Sequence, residues 1–147
     1  QAVLAQHGTP VLYPMEAVRD VPDCYQVSHT HNDSLKACVS QVVSRMEERL
    51  DREEGEGKGR ICVIVPDTQA HLWHADESGA SALDQRVSYL TAAGSKGLEF
   101  DSVVVVEPRE ILDQGSGDLF VALTRATHDL HAVTTTQLPR GMEEWDA

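Results

Sequence analysis

Two stretches of the chain concentrate side chains able to handle an anion. The first, Thr91-Ala92-Ala93-Gly94-Ser95-Lys96-Gly97-Leu98-Glu99-Phe100, sets one cation and one carboxylate three residues apart among small residues. Gly94 and Gly97 would let backbone approach a ligand closely, while Lys96 supplies charge and Glu99 a hydrogen-bond acceptor. The second stretch, Gly117 to Thr127, carries Arg125. Read as a helix, it puts Leu119, Leu123 and Ala126 on one face and turns Arg125 about 120° from the centre of that face, away from the core. A guanidinium held on a rigid helix suits a polyphosphate. Spacing alone leaves simpler readings open: a βα loop with incidental charges, and an Arg125 that pairs with Asp129 four residues on.

Other chemistries find less support. Gly55-Glu56-Gly57-Lys58-Gly59-Arg60 has the composition of a phosphate-binding loop. It lacks the G-x-x-x-x-G-K-[ST] spacing and the hydroxyl that would hold Mg²⁺, so it reads as a solvated turn. No acidic pair after a strand looks like a Walker B site. Cys24, Cys38 and Cys62 are 14 and 24 residues apart, far from metal-knuckle or redox spacing, and read as free buried thiols. His29 with His31, His71 with His74, and His128 with His131 form close pairs without a third ligand at a recognisable spacing, so no metal site is expected.

The elements that must position these residues follow from periodicity. Asn32 or Asp33 can cap a helix whose apolar residues Leu35, Val39, Val42, Val43, Met46 and Leu50 fall in a stripe about 100° wide. Its polar face carries Glu47, Glu48, Arg49 and Arg52, and Glu53 and Glu54 oppose the helix dipole, so fraying is expected there. Ile61 to Val65 and Val103 to Val106 are apolar runs without alternation, as in strands covered on both faces. Tyr25 to Ser28, Val87 to Thr91 and His131 to Thr134 are weaker strands. A short helix is expected from Pro66 to Trp73, then a polar loop over Asp76 to Ser81. The pattern predicts a three-layer α/β sandwich with a mainly parallel central sheet.

The 147 residues suit a single domain over 1–147, with residues 1–24 as an extended entry segment and 141–147 as a frayed tail cut from a longer chain. Twelve Lys+Arg against 24 Asp+Glu leave a formal charge of -12, which disfavours capture of nucleic acid by a basic surface. The sequence has neither a membrane-length apolar run nor a signal-peptide pattern at Gln1 to Gly8, and reads as soluble and cytoplasmic.

At Lys96-Gly97-Leu98-Glu99-Phe100, followed by a valine strand, the chain resembles motif V of UvrD-type superfamily 1 helicases. Val121-Ala122-Leu123-Thr124-Arg125-Ala126 resembles their motif VI. The fuller wording of both, within residues 87–134, is most similar to the HelD-like ATPases that bind bacterial RNA polymerase and recycle it. The resemblance implies a RecA-like fold, the second of two motor domains, with ATP and Mg²⁺ bound in the cleft between them in the full-length protein. It assigns Arg125 to the γ-phosphate, where such a residue contributes about a thousandfold to phosphoryl transfer. It assigns Glu99 to the nucleotide ribose, Gly97 to close approach of the loop, Lys96 to a neighbouring position, and Thr91 to the nucleic-acid backbone. The implied partners are a Walker A domain of the same chain and DNA or RNA polymerase, in a bacterial, nucleoid-associated setting without a membrane.

The departures shape the expectation. Without a phosphate-cradling loop the isolated domain should not hydrolyse ATP, and no bound cofactor is expected in it. Ala93 stands where UvrD-type enzymes carry a histidine, and about twenty residues between Val65 and Val87 leave no room for the large insertion of processive helicases. A different class of function is a non-catalytic RecA-like module that binds RNA polymerase or another protein through Trp73, Trp145 and Phe120 as exposed anchors. A flavodoxin-like or receiver-like domain shares the alternation but would need an acidic cluster after the first strand, which is missing.

Overall fold

The computed structural model of the chain describes residues 24–79, 85–139 and 142. Five strands make one sheet in the order β1-β5-β4-β2-β3, with every pairing parallel: β1 (Cys24–His29), β2 (Ile61–Ile64), β3 (Val87–Leu90), β4 (Phe100–Val106) and β5 (Ala126–Thr134). All of β2 and Ser102 to Val106 of β4 are buried, because helices cover both faces of the sheet.

Helix α1 (Leu35–Glu54) lies on one face, and its buried residues are Leu35, Val39, Val42, Val43, Met46 and Leu50, the six of the predicted stripe. They meet Ile61, Val63, Val65, Val104, Val106 and Val133. Two local expectations differ. Asn32 and Asp33 lie in a 3-10 turn ahead of the helix, with Ser34 at the cap position. The helix also persists through Glu54 and stops only at Gly55, whose φ of 113° is available to glycine. Gly57 and Gly59 also have positive φ, and Asp51 accepts from Gly57 N at 3.0 Å, which makes Gly55 to Gly59 a compact turn. Short α2 (Ala70–Trp73), reached through a 3-10 turn over Asp67–Gln69, completes this side.

Helices α3 (Ala92–Ser95), α4 (Pro108–Gln114) and α5 (Ser116–Leu123) cover the opposite face. Ile111, Leu112, Leu119, Ala122 and Leu123 pack there on Cys62, Ile64, Val103, Val105, Leu130 and Ala132. Burial pushes the Cys62 thiol far above its ordinary value. Met142, the described residue of the tail, is fully buried in this same core. The entry segment 1–23 and the remainder of 141–147 lie outside the described residues. Cys24, the last residue of the expected entry segment, opens β1.

Helix α5 corrects the reading of Gly117 to Thr127 as one helix. It ends at Leu123, Arg125 sits in the turn that follows, and Ala126 already begins β5. The Thr124 hydroxyl bonds back to the carbonyls of Phe120 (3.0 Å) and Val121 (3.1 Å) and closes the helix. Parallel pairing of Ala126 to Val133 with β4 then outweighs the helical period of the apolar residues.

Candidate functional site

The segment after β3 is built from local rules. Thr91 caps α3, its hydroxyl accepting from Gly94 N at 3.2 Å, and the whole residue is buried. That hydroxyl is therefore engaged inside the protein, not presented to a nucleic-acid backbone. The chain then makes a type II turn over Ser95 to Leu98, with Leu98 N donating to Ser95 O at 3.1 Å. Lys96 (φ -59°, ψ 134°) takes the first central position and Gly97 (φ 79°) the second, where positive φ favours glycine. Lys96, Gly97 and Glu99 are exposed, while Leu98 is half-buried against the core.

The two glycines differ in role. A Cβ at Gly97 would meet nothing within 4 Å, so its contribution is the turn. A Cβ at Gly94 would stand 2.4 Å from the carbonyl oxygen of Asp76. Gly94 thus permits close approach of another stretch of this chain, which corrects its assignment to a ligand.

Arg125 is fixed against this turn. Its Nε donates to Val121 O at 3.1 Å, Nη1 to Leu98 O at 3.4 Å and Nη2 to Thr124 Oγ1 at 3.2 Å. The backbone is tied in as well, because Phe100 N donates to Arg125 O at 3.0 Å. No carboxylate pairs with Arg125 among the described residues. Asp129, its candidate partner at i+4, points to the other face of the sheet, where it accepts from Arg49 Nη2 at 2.6 Å and from the Ser102 hydroxyl.

Register then fixes where the two groups stand. Phe100 and Ala126 are paired at the start of β4 and β5, and Glu99 and Arg125 are the residues just before them. Their backbones are one strand spacing apart, about 5 Å, at the amino-terminal end of the sheet. A loop that follows a parallel strand is expected at the carboxyl end of the sheet, where open α/β sheets bind ligands. Thr91 is at that end, but α3 and the type II turn carry the chain back across the sheet before Glu99 is reached.

Sequence reasoning missed two residues near these elements. Arg60 lies over the Phe100 ring, 5.5 Å from its centroid, and its Nη2 is buried without a hydrogen-bond partner. Glu107, at the carboxyl end of β4, is buried with φ 52° and accepts from Thr135 N (2.8 Å), Thr135 Oγ1 (2.5 Å) and Thr134 Oγ1 (3.4 Å). Non-glycine positive φ costs about 1 kcal/mol or more, and these three bonds hold it in place. Nothing local in the sequence signals either feature.

The remaining candidates are not brought together into a site. No group of three His, Cys, Asp or Glu among the described residues could hold a metal ion. His131 bonds Ser28 Oγ at 2.7 Å, and His128 faces Glu53 at 3.3 Å. Trp73 is buried and stacked on Tyr89, with ring centroids 6.0 Å apart, and Phe120 is half-buried, so neither is an exposed anchor; Trp145 lies outside the described residues. No helix among the described residues is long and apolar enough to cross a membrane.

Comparison with known proteins agrees with this architecture. None of the curated proteins compared with it matches the chain. A solved structure, the C-terminal domain of a protein described as a possible DNA helicase from Lactobacillus plantarum WCFS1, superposes with a TM-score of 0.57. It covers 88% of this chain and 89% of that one at 21% identity, a likeness of fold, and the five parallel strands between two helical layers fit the RecA-like domain expected. The family model for the viral superfamily 1 RNA helicase core domain matches residues 6–134. With motif-like segments V and VI placed side by side on such a sheet, the chain belongs to this superfamily 1 helicase core-domain family.

Proposed function

We propose that this domain is the second motor lobe of an ATP-driven superfamily 1 enzyme, and that the amino-terminal edge of its sheet closes over a nucleotide carried by a Walker A lobe. Arg125 reaches the terminal phosphate and Glu99 accepts a hydrogen bond from the ribose. Lys96 and Gly97 shape the turn that delivers Glu99 to this edge. The observation that carries this reading is the adjacency, on one edge, of an exposed carboxylate and a guanidinium that pairs with no carboxylate among the described residues and is held by Val121, Leu98 and Thr124. Three acceptors orient the fork without neutralising it, so its charge remains for a phosphate.

The residues present fit one half of an ATP site. When bound, ATP supplies the phosphoryl group that is transferred. Mg²⁺ belongs to the other lobe in this reading, which would hold it through the hydroxyl of the phosphate-cradling loop. The Walker A lobe is the obligatory partner, and the substrate is DNA or, as the HelD-like wording of both motifs suggests, an RNA polymerase to be displaced. The acidic charge of -12 favours the protein partner over a free nucleic-acid surface. Such an enzyme works in the cytoplasm, at the bacterial nucleoid. In the complete two-lobed protein, Arg125→Ala should lower ATP turnover about a thousandfold with little change in stability. Turnover within threefold of the parent would refute the assignment.

A further inference from the structure

Helix α1 leaves a second cationic feature, on the face of the sheet away from Arg125. Arg45, Arg49 and Arg52 fall within an arc of about 60° beside the buried stripe, at 100° per residue. They look down on β5 and on β1, which extends the sheet beyond the helix. The space between is a cavity of about 370 Å³, with these three arginines on one wall and Gln26, Asp129 and His131 on the floor. That volume lies within the range of small-molecule sites.

The cavity is electrostatically unlike the rest of the chain. Its lining opposes three guanidiniums to the carboxylates of Glu48 and Asp129, in a protein of net charge -12. Asp129 is committed to Arg49 Nη2 at 2.6 Å, and the same Nη2 donates to Ser102 Oγ at 3.0 Å, so Arg49 is anchored. Arg45 and Arg52 are exposed and pair with no carboxylate among the described residues. His131 is the remaining titratable group on the floor. Burial, then the charge of Arg45, holds its pKa down to about 4 against the opposing pull of Asp129, and its Nε2 contacts Ser28 Oγ. The floor is therefore neutral at physiological pH, apart from the Asp129 that Arg49 already satisfies.

The geometry points to a binding site for a polyphosphate group in this α1–β1–β5 cavity, with Arg45 and Arg52 as the free forks and Arg49 as the fixed one between them. One fork satisfies a carboxylate. Three in a row, with the outer two about 10 Å apart along the helix, match an anion whose acceptor oxygens are spread along its length. A small polyphosphate also suits the setting better than a polynucleotide, whose long charged backbone would be repelled by a protein of net charge -12. The phosphates could belong to inorganic pyrophosphate or to a nucleoside diphosphate, whose ring would lie on Met46 and Leu130, which also line the cavity.

The test is calorimetric titration of the folded chain with pyrophosphate and, separately, ADP, both without Mg²⁺. The parent should bind pyrophosphate, and Arg45→Ala/Arg52→Ala should weaken that binding at least about tenfold, as expected for loss of charge-assisted hydrogen bonds. Both side chains are exposed and alanine favours helix, so this double variant keeps its fold, which circular dichroism verifies. Arg109→Ala, on the α4 helix that covers the opposite face of the sheet, should leave pyrophosphate binding unchanged, which ties the binding to this cavity. Tighter binding of ADP than of pyrophosphate would identify the nucleoside diphosphate as the source, and equal binding the polyphosphate alone. No heat from pyrophosphate up to about 10 mM, or binding that survives loss of Arg45 and Arg52, would overturn the site.

Discussion

Gly94 and Gly97 occupy one segment for opposite physical reasons, and alanine at each should separate them. At Gly94 the new Cβ would lie 2.4 Å from Asp76 O and 3.1 Å from the carbonyl carbon of Glu77, so the two backbones must part by about 1 Å. Asp76 resists that movement. Its N–H donates to Tyr89 O at 2.8 Å, its carboxylate holds Ser78 N at 2.8 Å and Ser78 Oγ at 2.7 Å, and it bridges to Leu90. Overpacking of this kind costs about 3 kcal/mol, and the helical preference of alanine over glycine returns about 1, so the net loss should be about 2 kcal/mol. Gly97→Ala meets no neighbour and bears only the penalty of φ 79°, about 1 kcal/mol. Gly79 faces Gly94 across the same crossing, its Cβ reaching Gly94 O at 2.3 Å. Once one alanine has spread the crossing, the second should cost less, so Gly79→Ala with Gly94→Ala should be less than additive. Urea denaturation measures all four variants, with about 2 kcal/mol lowering the midpoint by roughly 1 M at an unchanged slope. A Gly94→Ala protein as stable as the parent would refute the close-approach argument, and strict additivity would refute the shared crossing.

Two further outcomes follow from the α1 face. His131 has a folded pKa of about 4 against an ordinary 6.5, so below 6.5 the unfolded chain binds a proton that the folded chain does not. Stability should therefore be full above pH 6.5, fall by at most about 3 kcal/mol as pH drops towards 4, and level off below that. Urea titrations between pH 7.5 and 5 should show this slope in the parent and lose it in His131→Gln; equal slopes would remove His131 as the cause. Arg49→Ala strips the half-buried Asp129 of its cation, and with side chains 22% and 14% exposed the cost should be about 2 kcal/mol, below that of a fully buried pair. Arg49→Met combined with Asp129→Asn should recover most of that loss in the same denaturation assay, whereas a neutral Arg49→Ala would show that the pair is not holding α1 to β5.

The sequence made the covered elements plain because their signal is local. Six apolar residues at helical spacing fixed the inner face of α1, and unbroken runs at Ile61 to Val65 and Val103 to Val106 announced strands buried on both sides. Motif wording likewise singles out Glu99 and Arg125, because it too is local. What stayed hidden depends on contacts distant in sequence. The end of α5 at Leu123 is decided by the pairing of Ala126 with Phe100, although Leu119, Leu123 and Ala126 keep a helical period. The edge on which Glu99 stands follows from the register of β4, which no property of residues 91–99 reveals. Gly94 was legible as a point of close approach, but its partner, Asp76, lies across a loop. Arg49 and Arg52 read as a solvated helix face, and only the addition of β1 beyond β5 gives them a floor.

In the proposed role, Arg125 contacts the terminal phosphate chiefly in the transition state rather than in the bound ground state. Affinities of the complete two-lobed protein for ADP and for ADP with aluminium fluoride, compared between the parent and Arg125→Ala, test it most directly. Arg125→Ala should bind ADP as the parent does but lose about a hundredfold or more of the preference for the fluoride complex. An undiminished preference in Arg125→Ala would contradict it.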